Sequence, residues 1–203
     1  MRIWEEYALN GGLLIVFSGP SGVGKDTVFQ HFLSLGSGVK KSISCTTRKH
    51  RGNEVDGIDY EYLTPEEFAR RQSEGFFLES AQYGKYMYGT PREWLEQQIA
   101  QGSDIILVIE VMGALEVKRL RPDCVTIFLA PPSIEELERR LRDRNTESEA
   151  DIVTRLAKAR EELQFVTHYD YIIENDSVEK AAQELNAIII AQRNRVKRGA
   201  NRL

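Results

Sequence analysis

Cysteine is scarce in this chain: Cys45 and Cys124 are the only two in 203 residues, with neither metal-ligand spacing nor a pattern of paired bridges. A reducing, cytoplasmic compartment is therefore expected. Long apolar runs are lacking as well, and no stretch approaches the ~20 apolar residues of a membrane span. The first twelve residues, MRIWEEYALNGG, are interrupted by charge where a signal peptide carries its apolar core, so none is expected. Nor is there a basic excess. The formal net charge of −4 argues against a nucleic-acid binder, since phosphate backbones are held by surplus Lys and Arg. A basic tail, Arg193, Arg195, Lys197, Arg198 and Arg202, reads as a solvated end. The histidines His31, His50 and His168 show no Ser or Cys partner pattern of a hydrolytic triad. Internal repeats and low-complexity segments are also missing. What is left, 41% hydrophobic and 29% charged residues, suits a globular chain that buries one substantial core, with or without inserted lobes.

One stretch stands out from this background, GPSGVGKDT, from Gly19 to Thr27. Before it, Leu13 to Phe17 reads as a buried strand; after it, Val28, Phe29, Phe32 and Leu33 recur at helical spacing. Strand, glycine-rich turn and helix together predict a phosphate-binding loop. Its glycines let successive N–H groups converge on phosphate oxygens, and the helix N-terminus adds positive potential. The candidate phosphate ligands are Gly19, Pro20, Ser21, Gly22, Val23, Gly24, Lys25, Asp26 and Thr27, with Lys25 supplying a full charge to the outer phosphates. Asp26 departs from the usual Ser or Thr, so the hydroxyl that ordinarily ligates magnesium is absent there.

Beyond the loop, strand and helix patterns alternate. Lys41 to Cys45 alternates briefly, Tyr60 to Leu63 reads as a short strand, and Thr64-Pro65-Glu66-Glu67 opens a helix. Phe76 to Tyr83 is a strand candidate, GKYMYGT reads as a turn, and Thr90-Pro91-Arg92-Glu93 repeats the capping pattern for a helix to about Gln101. Asp104 to Glu110 and Val125 to Ala130 are buried strands, with a helix from Gly113 to Leu120 between them. Ser133 opens the helix carrying RRLRDR, Ser148 starts a long one to about Val166, and Tyr171 to Glu174 with Ala181 to Arg193 close the chain. The alternation predicts a parallel sheet with helices on both faces. From Ser44 to Thr90 the rhythm breaks into short strands and charged loops, which reads as an inserted lobe.

Two constellations carry further chemistry. In the lobe, Arg48 and Arg51 match a monophosphate bidentately, with Tyr60 and Tyr88 as extra donors and Glu54 nearby. A carboxylate accepts only, so Glu79 favours a base with N–H donors on its edge, as guanine has at N1 and N2. Later, Arg139, Arg140, Arg142 and Arg144 precede NTES, and Arg155 follows. Arg139 and Arg140 belong to a helix face paired with Glu135, Glu136 and Glu138; Arg142, Arg144 and Arg155 flank a loop and suit a clamp on a transferring phosphoryl group. Glu110, closing its strand, is placed to hold a magnesium-bound water or to accept a proton.

Taken in order, GPSGVGKDT, SISCTTRKHRGNEVDGIDY, FLESAQYGKYMYGT, IEVMGA, APPS, RLRDRNTES and IENDS resemble the guanylate kinases, from about Gly12 to Arg193. The resemblance implies a three-layer α/β P-loop NTPase core with a parallel sheet, an inserted nucleotide-monophosphate-binding lobe and a small lid. As one domain over 1–203, it implies a core of 1–43, 91–138 and 156–203, a lobe of 44–90 and a lid of 139–155. It implies ATP-dependent phosphorylation of GMP to GDP with Mg2+, the partners being small molecules and neither nucleic acid nor membrane, in a monomer or small homo-oligomer. By position, GMP-phosphate ligands fall on Arg48, Arg51, Tyr60 and Tyr88, guanine contacts on Ser44, Glu79 and Thr90, and a further acidic residue of that pocket on Glu54. The family's lid arginines fall on Arg142, Arg144 and Arg155, and the adenine-side asparagine on Asn175.

Departures are Asp26, Val108 where the family usually carries an acid that contacts guanine, Glu110 for Asp, and Met112 for Gln. Two other readings compete: a phosphoribosyl bisphosphate kinase, which can carry Asp after the loop lysine but needs no guanine pocket, and a non-catalytic guanylate-kinase-like binding module. Glu79, Tyr88 and Thr90 together favour GMP, and an intact Gly24-Lys25 favours catalysis over scaffolding.

Overall fold

The computed structural model describes residues 11–52, 54–143 and 148–196. Five strands form one parallel sheet in the order β2-β7-β1-β8-β9: β1 Leu14–Ser18, β2 Lys40–Lys41, β7 Ile105–Val108, β8 Val125–Ala130 and β9 Tyr171–Glu174. Because successive side chains of a strand face opposite ways, β1 feeds two cores. Ile15 and Phe17 pack with Phe29 and Phe32 of α1 (Lys25–Ser34) and with Leu185 and Ile189 of α7 (Val178–Arg193). Leu14 and Val16 pack with Leu95 of α3 (Arg92–Ala100) and Val117 of α4 (Val111–Leu120). Burial on both faces is why these strands read as unbroken apolar runs.

A second sheet, of order β4-β3-β6-β5, is built from β3 Ser44–Thr46, β4 Tyr60–Tyr62, β5 Phe77–Tyr83 and β6 Tyr86–Pro91. Its small core stacks Phe68 of α2 (Pro65–Ser73) on Phe77, centroids 4.5 Å apart, over Cys45. Helices α5 (Ile134–Asp143) and α6 (Glu149–Leu163) share a separate core of Leu137, Leu141, Ile152, Leu156 and Ala159. Among the described residues no helix is long and apolar enough to cross a membrane.

Several local expectations are corrected. GKYMYGT is not merely a turn: Gly84, at φ 59°, turns the chain between Tyr83 and Tyr86, and the rest is strand β6 paired with β5. Thr90 is not a helix cap, since α3 takes Pro91 as its N-cap and the Thr90 hydroxyl is engaged elsewhere. Glu110 lies past the end of β7, as the N-cap of α4. Arg142 sits inside α5 and not on a loop, where Glu138 is its natural partner one turn back. Arg144, with the adjoining residues to 147, lies outside the described residues, as does the tail from 197.

Candidate active site

The phosphate loop rises from β1 and ends at Gly24, the left-handed N-cap of α1 at φ 96°. A side chain at Gly19 would place its Cβ 2.2 Å from the Leu129 carbonyl oxygen, so the loop can pass over β8 only as glycine. Asn175, just beyond β9, secures the far side: its amide donates to the Val23 carbonyl at 2.7 Å. The resemblance puts Asn175 on the adenine side; here it is buried beneath the loop as a brace. The Lys25 ammonium lies over the loop carbonyls of Gly19 and Pro20, at 2.7 and 3.2 Å, and 3.5 Å from Glu110. The other oxygen of Glu110, Oε2, is buried without a hydrogen-bond partner.

In front of the loop opens a cleft of about 640 Å³, walled by both sheets and α6. Ser21, Gly22, Gly24, Lys25, Asp26 and Thr27 line one side, and Ser44, Arg48, Arg51, Glu54, Tyr60, Glu79 and Tyr88 line the other. Glu110 and Arg155 complete the convergence. Residues from five separated segments of sequence thus meet in one space.

Glu54 is the hub of the lobe side. It takes a bidentate pair from Arg48 at 2.9 and 2.7 Å, the Tyr62 hydroxyl at 2.7 Å and the Arg51 backbone N–H at 2.9 Å. Those donors, led by Arg48, hold its carboxyl down at about 2, and Arg48 is pushed up in turn. Arg48 also stacks over Tyr60, 5.2 Å from its centroid, so the guanidinium is fixed before any ligand arrives. Burial raises the Tyr60 phenol to about 12, keeping it a donor at neutral pH.

Deeper in, Glu79 is 6% exposed and accepts the Thr90 hydroxyl at 2.7 Å. Burial raises its carboxyl to about 7 against the lowering effect of that bond. Thr90 is fully buried and acts on the cleft through Glu79. Val108 and Met112 line the same region.

Of the three arginines expected in a lid, the two that are described separate. Arg155 reaches the loop, its guanidinium 3.4 Å from the Ser21 hydroxyl. Arg142 instead ties α5 to the start of α6 through Glu138 and Glu149, at 2.8 and 2.7 Å, and does not line the cleft. Arg139 and Arg140 pair with Glu136, as their helical spacing requires.

Sequence reasoning missed three contributors. Glu162, 4% exposed, accepts the Ser21 N–H at 3.3 Å, and Lys158 lies 3.6 Å from it and 3.8 Å from the Tyr83 ring centroid. Tyr83, at the tip of β5, donates to the Ser21 hydroxyl at 2.8 Å, joining the lobe to the phosphate loop. The available signal was the spacing of Arg155, Lys158 and Glu162, which shares one face of a helix.

Comparison with known proteins agrees with this geometry. The family model described as guanylate kinase matches residues 12–192. A guanylate kinase of Symbiobacterium thermophilum is 48% identical over 191 residues, covering 93% of this chain and 90% of the relative. That of Caldanaerobacter subterraneus is 46% identical over 187 residues, covering 92% and 91%. The crystal structure of guanylate kinase from Anaplasma phagocytophilum superposes with a TM-score of 0.77 at 34% identity, covering 93% of this chain and 89% of that one. With its phosphate loop, arginine-gripped acid and buried glutamate all inside the matched span, the chain belongs to the guanylate kinase family.

Proposed function

We infer that the cleft transfers the outer phosphoryl group of ATP to the phosphate of GMP, giving ADP and GDP. The observation that carries this reading is that a phosphate loop and a monophosphate-type arginine site, with a buried carboxylate suited to guanine, open onto one cleft. Curated relatives over nearly the whole chain are guanylate kinases, which leaves the ribose-phosphate and scaffold alternatives without support.

The reaction needs no covalent intermediate on the protein. Loop amides and Lys25 hold the ATP phosphates; Arg48, Arg51, Tyr60 and Tyr88 hold the acceptor phosphate in line. Glu79, set by Thr90 and joined by Ser44, takes the N–H edge of guanine, while adenine presents a lone pair at N1 that an ionised carboxylate repels. Arg155, already beside the loop, is the described cation best placed to meet charge building on the moving group. Arg142 supports it from a distance by joining the two helices of the lid. Closure of the lobe, 44–90, and the lid, 139–155, on the core keeps water from the phosphates.

The residues present fit a magnesium ion that arrives with ATP. Among the described residues no group of three or more His, Cys, Asp or Glu could hold a metal ion alone, so the nucleotide phosphates would have to supply ligands. Glu110, with its partnerless buried oxygen, is the residue that would receive a metal-bound water, with Asp26 at the cleft edge. When bound, the ion would offset phosphate charge and orient the triphosphate. The protein is read as cytoplasmic, and as a monomer or small homo-oligomer. Turnover of GMP, AMP, CMP and UMP with ATP, repeated in Asp26→Ser, tests the reading; strong preference for GMP is expected.

A further inference from the structure

Two neighbouring lysines on strand β2 face opposite ways, and among the described residues only one of them has hydrogen-bond partners. Lys40 donates to Gln98 and Ser103 at 2.8 and 3.1 Å on the outer surface. Lys41 points into the cleft, half-buried, with its ammonium 5.5 Å from the Tyr60 ring centroid and 6.0 Å from that of Phe29. It makes no hydrogen bond or ion pair among the described residues, so all three of its donors are uncommitted.

Charge makes that ammonium informative. Arg48 is neutralised by Glu54 at 2.7 Å, and Asp26 and Asp59 line the same cleft. Lys41 thus adds an unpaired ammonium beside an arginine that is already engaged by a carboxylate. Arg48 and Lys41 both lie over Tyr60, at 5.2 and 5.5 Å from its centroid, and the four-carbon lysine stem swings easily.

We propose that Lys41 is a further substrate-binding residue, donating to the phosphate of the acceptor nucleotide beside Arg48 and Tyr60. The proposal rests on the reading of the cleft as a GMP site. A charge-assisted hydrogen bond of this kind is worth about tenfold in affinity.

The test is calorimetry and steady-state kinetics on the full chain with Lys41→Met and Lys41→Arg, each with Asp26 and with Asp26→Asn. Lys41→Met should weaken GMP binding and raise the KM for GMP about tenfold, leaving guanosine affinity, ATP affinity and the thermal midpoint unchanged; Lys41→Arg should recover most of the loss. The penalty should persist with Asp26→Asn. Unchanged GMP affinity in Lys41→Met would overturn the proposal, as would equal losses for GMP and guanosine, which mark a structural role. Disappearance of the penalty with Asp26→Asn would also overturn it, because Lys41 would then only offset Asp26. If the unmodified protein failed to turn over GMP, the reading of the whole cleft would fall; normal turnover with an indifferent Lys41 would remove this inference alone.

Discussion

The phosphate loop and the facing arginine site, both proposed to take anions, are held in different ways. The loop is fixed by backbone: Gly19 pressed on β8, Gly24 turned left-handed, Val23 tied to Asn175. The facing site is fixed by side chains, with Arg48, Tyr62 and the Arg51 N–H all centred on Glu54. A backbone cradle serves any polyphosphate, because every residue has an N–H to offer. Side-chain forks and a buried glutamate discriminate between ligands. The comparison therefore assigns turnover to the loop and choice of substrate to the lobe.

Lys25→Ala should break the comparison most severely. Turnover is expected to fall about a thousandfold, with GMP affinity by calorimetry preserved. Near-normal kinetics in that variant would contradict the assignment. Next comes Glu79→Gln, which should raise the KM for GMP about a hundredfold and relax base choice while retaining much of kcat.

Glu79 also makes a pH prediction with two opposite signs. Its carboxyl is raised to about 7 from an ordinary 4.5, so the folded chain holds a proton that the unfolded chain has released. Its contribution to stability is thus fully present at low pH and is lost as pH rises from about 4.5 through 7. GMP affinity should move the other way, rising through the same range as the carboxylate becomes a pure acceptor. Paired denaturation and binding titrations from pH 5 to 8 (about the working range of such folds) check both slopes, and Glu79→Gln should flatten both.

Smaller effects sharpen the same division. Val108→Asp places a second acceptor in the base region and should raise the preference for GMP over IMP about tenfold, since only guanine has the 2-amino group. Competitive kinetics with the two nucleotides measure it directly. Tyr83→Phe removes the hydroxyl that joins the lobe to Ser21, and about a threefold loss in kcat/KM is expected, without change in base choice.

What the sequence revealed follows the same line. The central strands were legible because burial on both faces leaves continuous apolar runs, and the phosphate loop because its glycines obey local steric rules. Strand β6 was not, because GKYMYGT combines a turn glycine with tyrosines, and only pairing with β5 makes it a strand. Thr90 looks like a cap in sequence; its hydroxyl instead serves Glu79, a partner eleven positions back that only the hairpin brings near. Arg142 and Arg155 look equivalent in sequence, and the fold separates them by placing Arg142 between Glu138 and Glu149, outside the cleft lining, and Arg155 beside Ser21 within it. Lys41 carries no motif at all, and its place over Tyr60 exists only once the lobe folds back on the core.

The central claim is that one cleft joins a general phosphate loop to a guanine-selective acceptor site. Its most direct measurement is the initial rate of ADP formation from ATP with GMP, AMP, CMP or UMP as sole acceptor. Rapid turnover is expected with GMP, and rates lower by about a hundredfold or more with the other three. Equal rates across the four, or none with GMP, would contradict it.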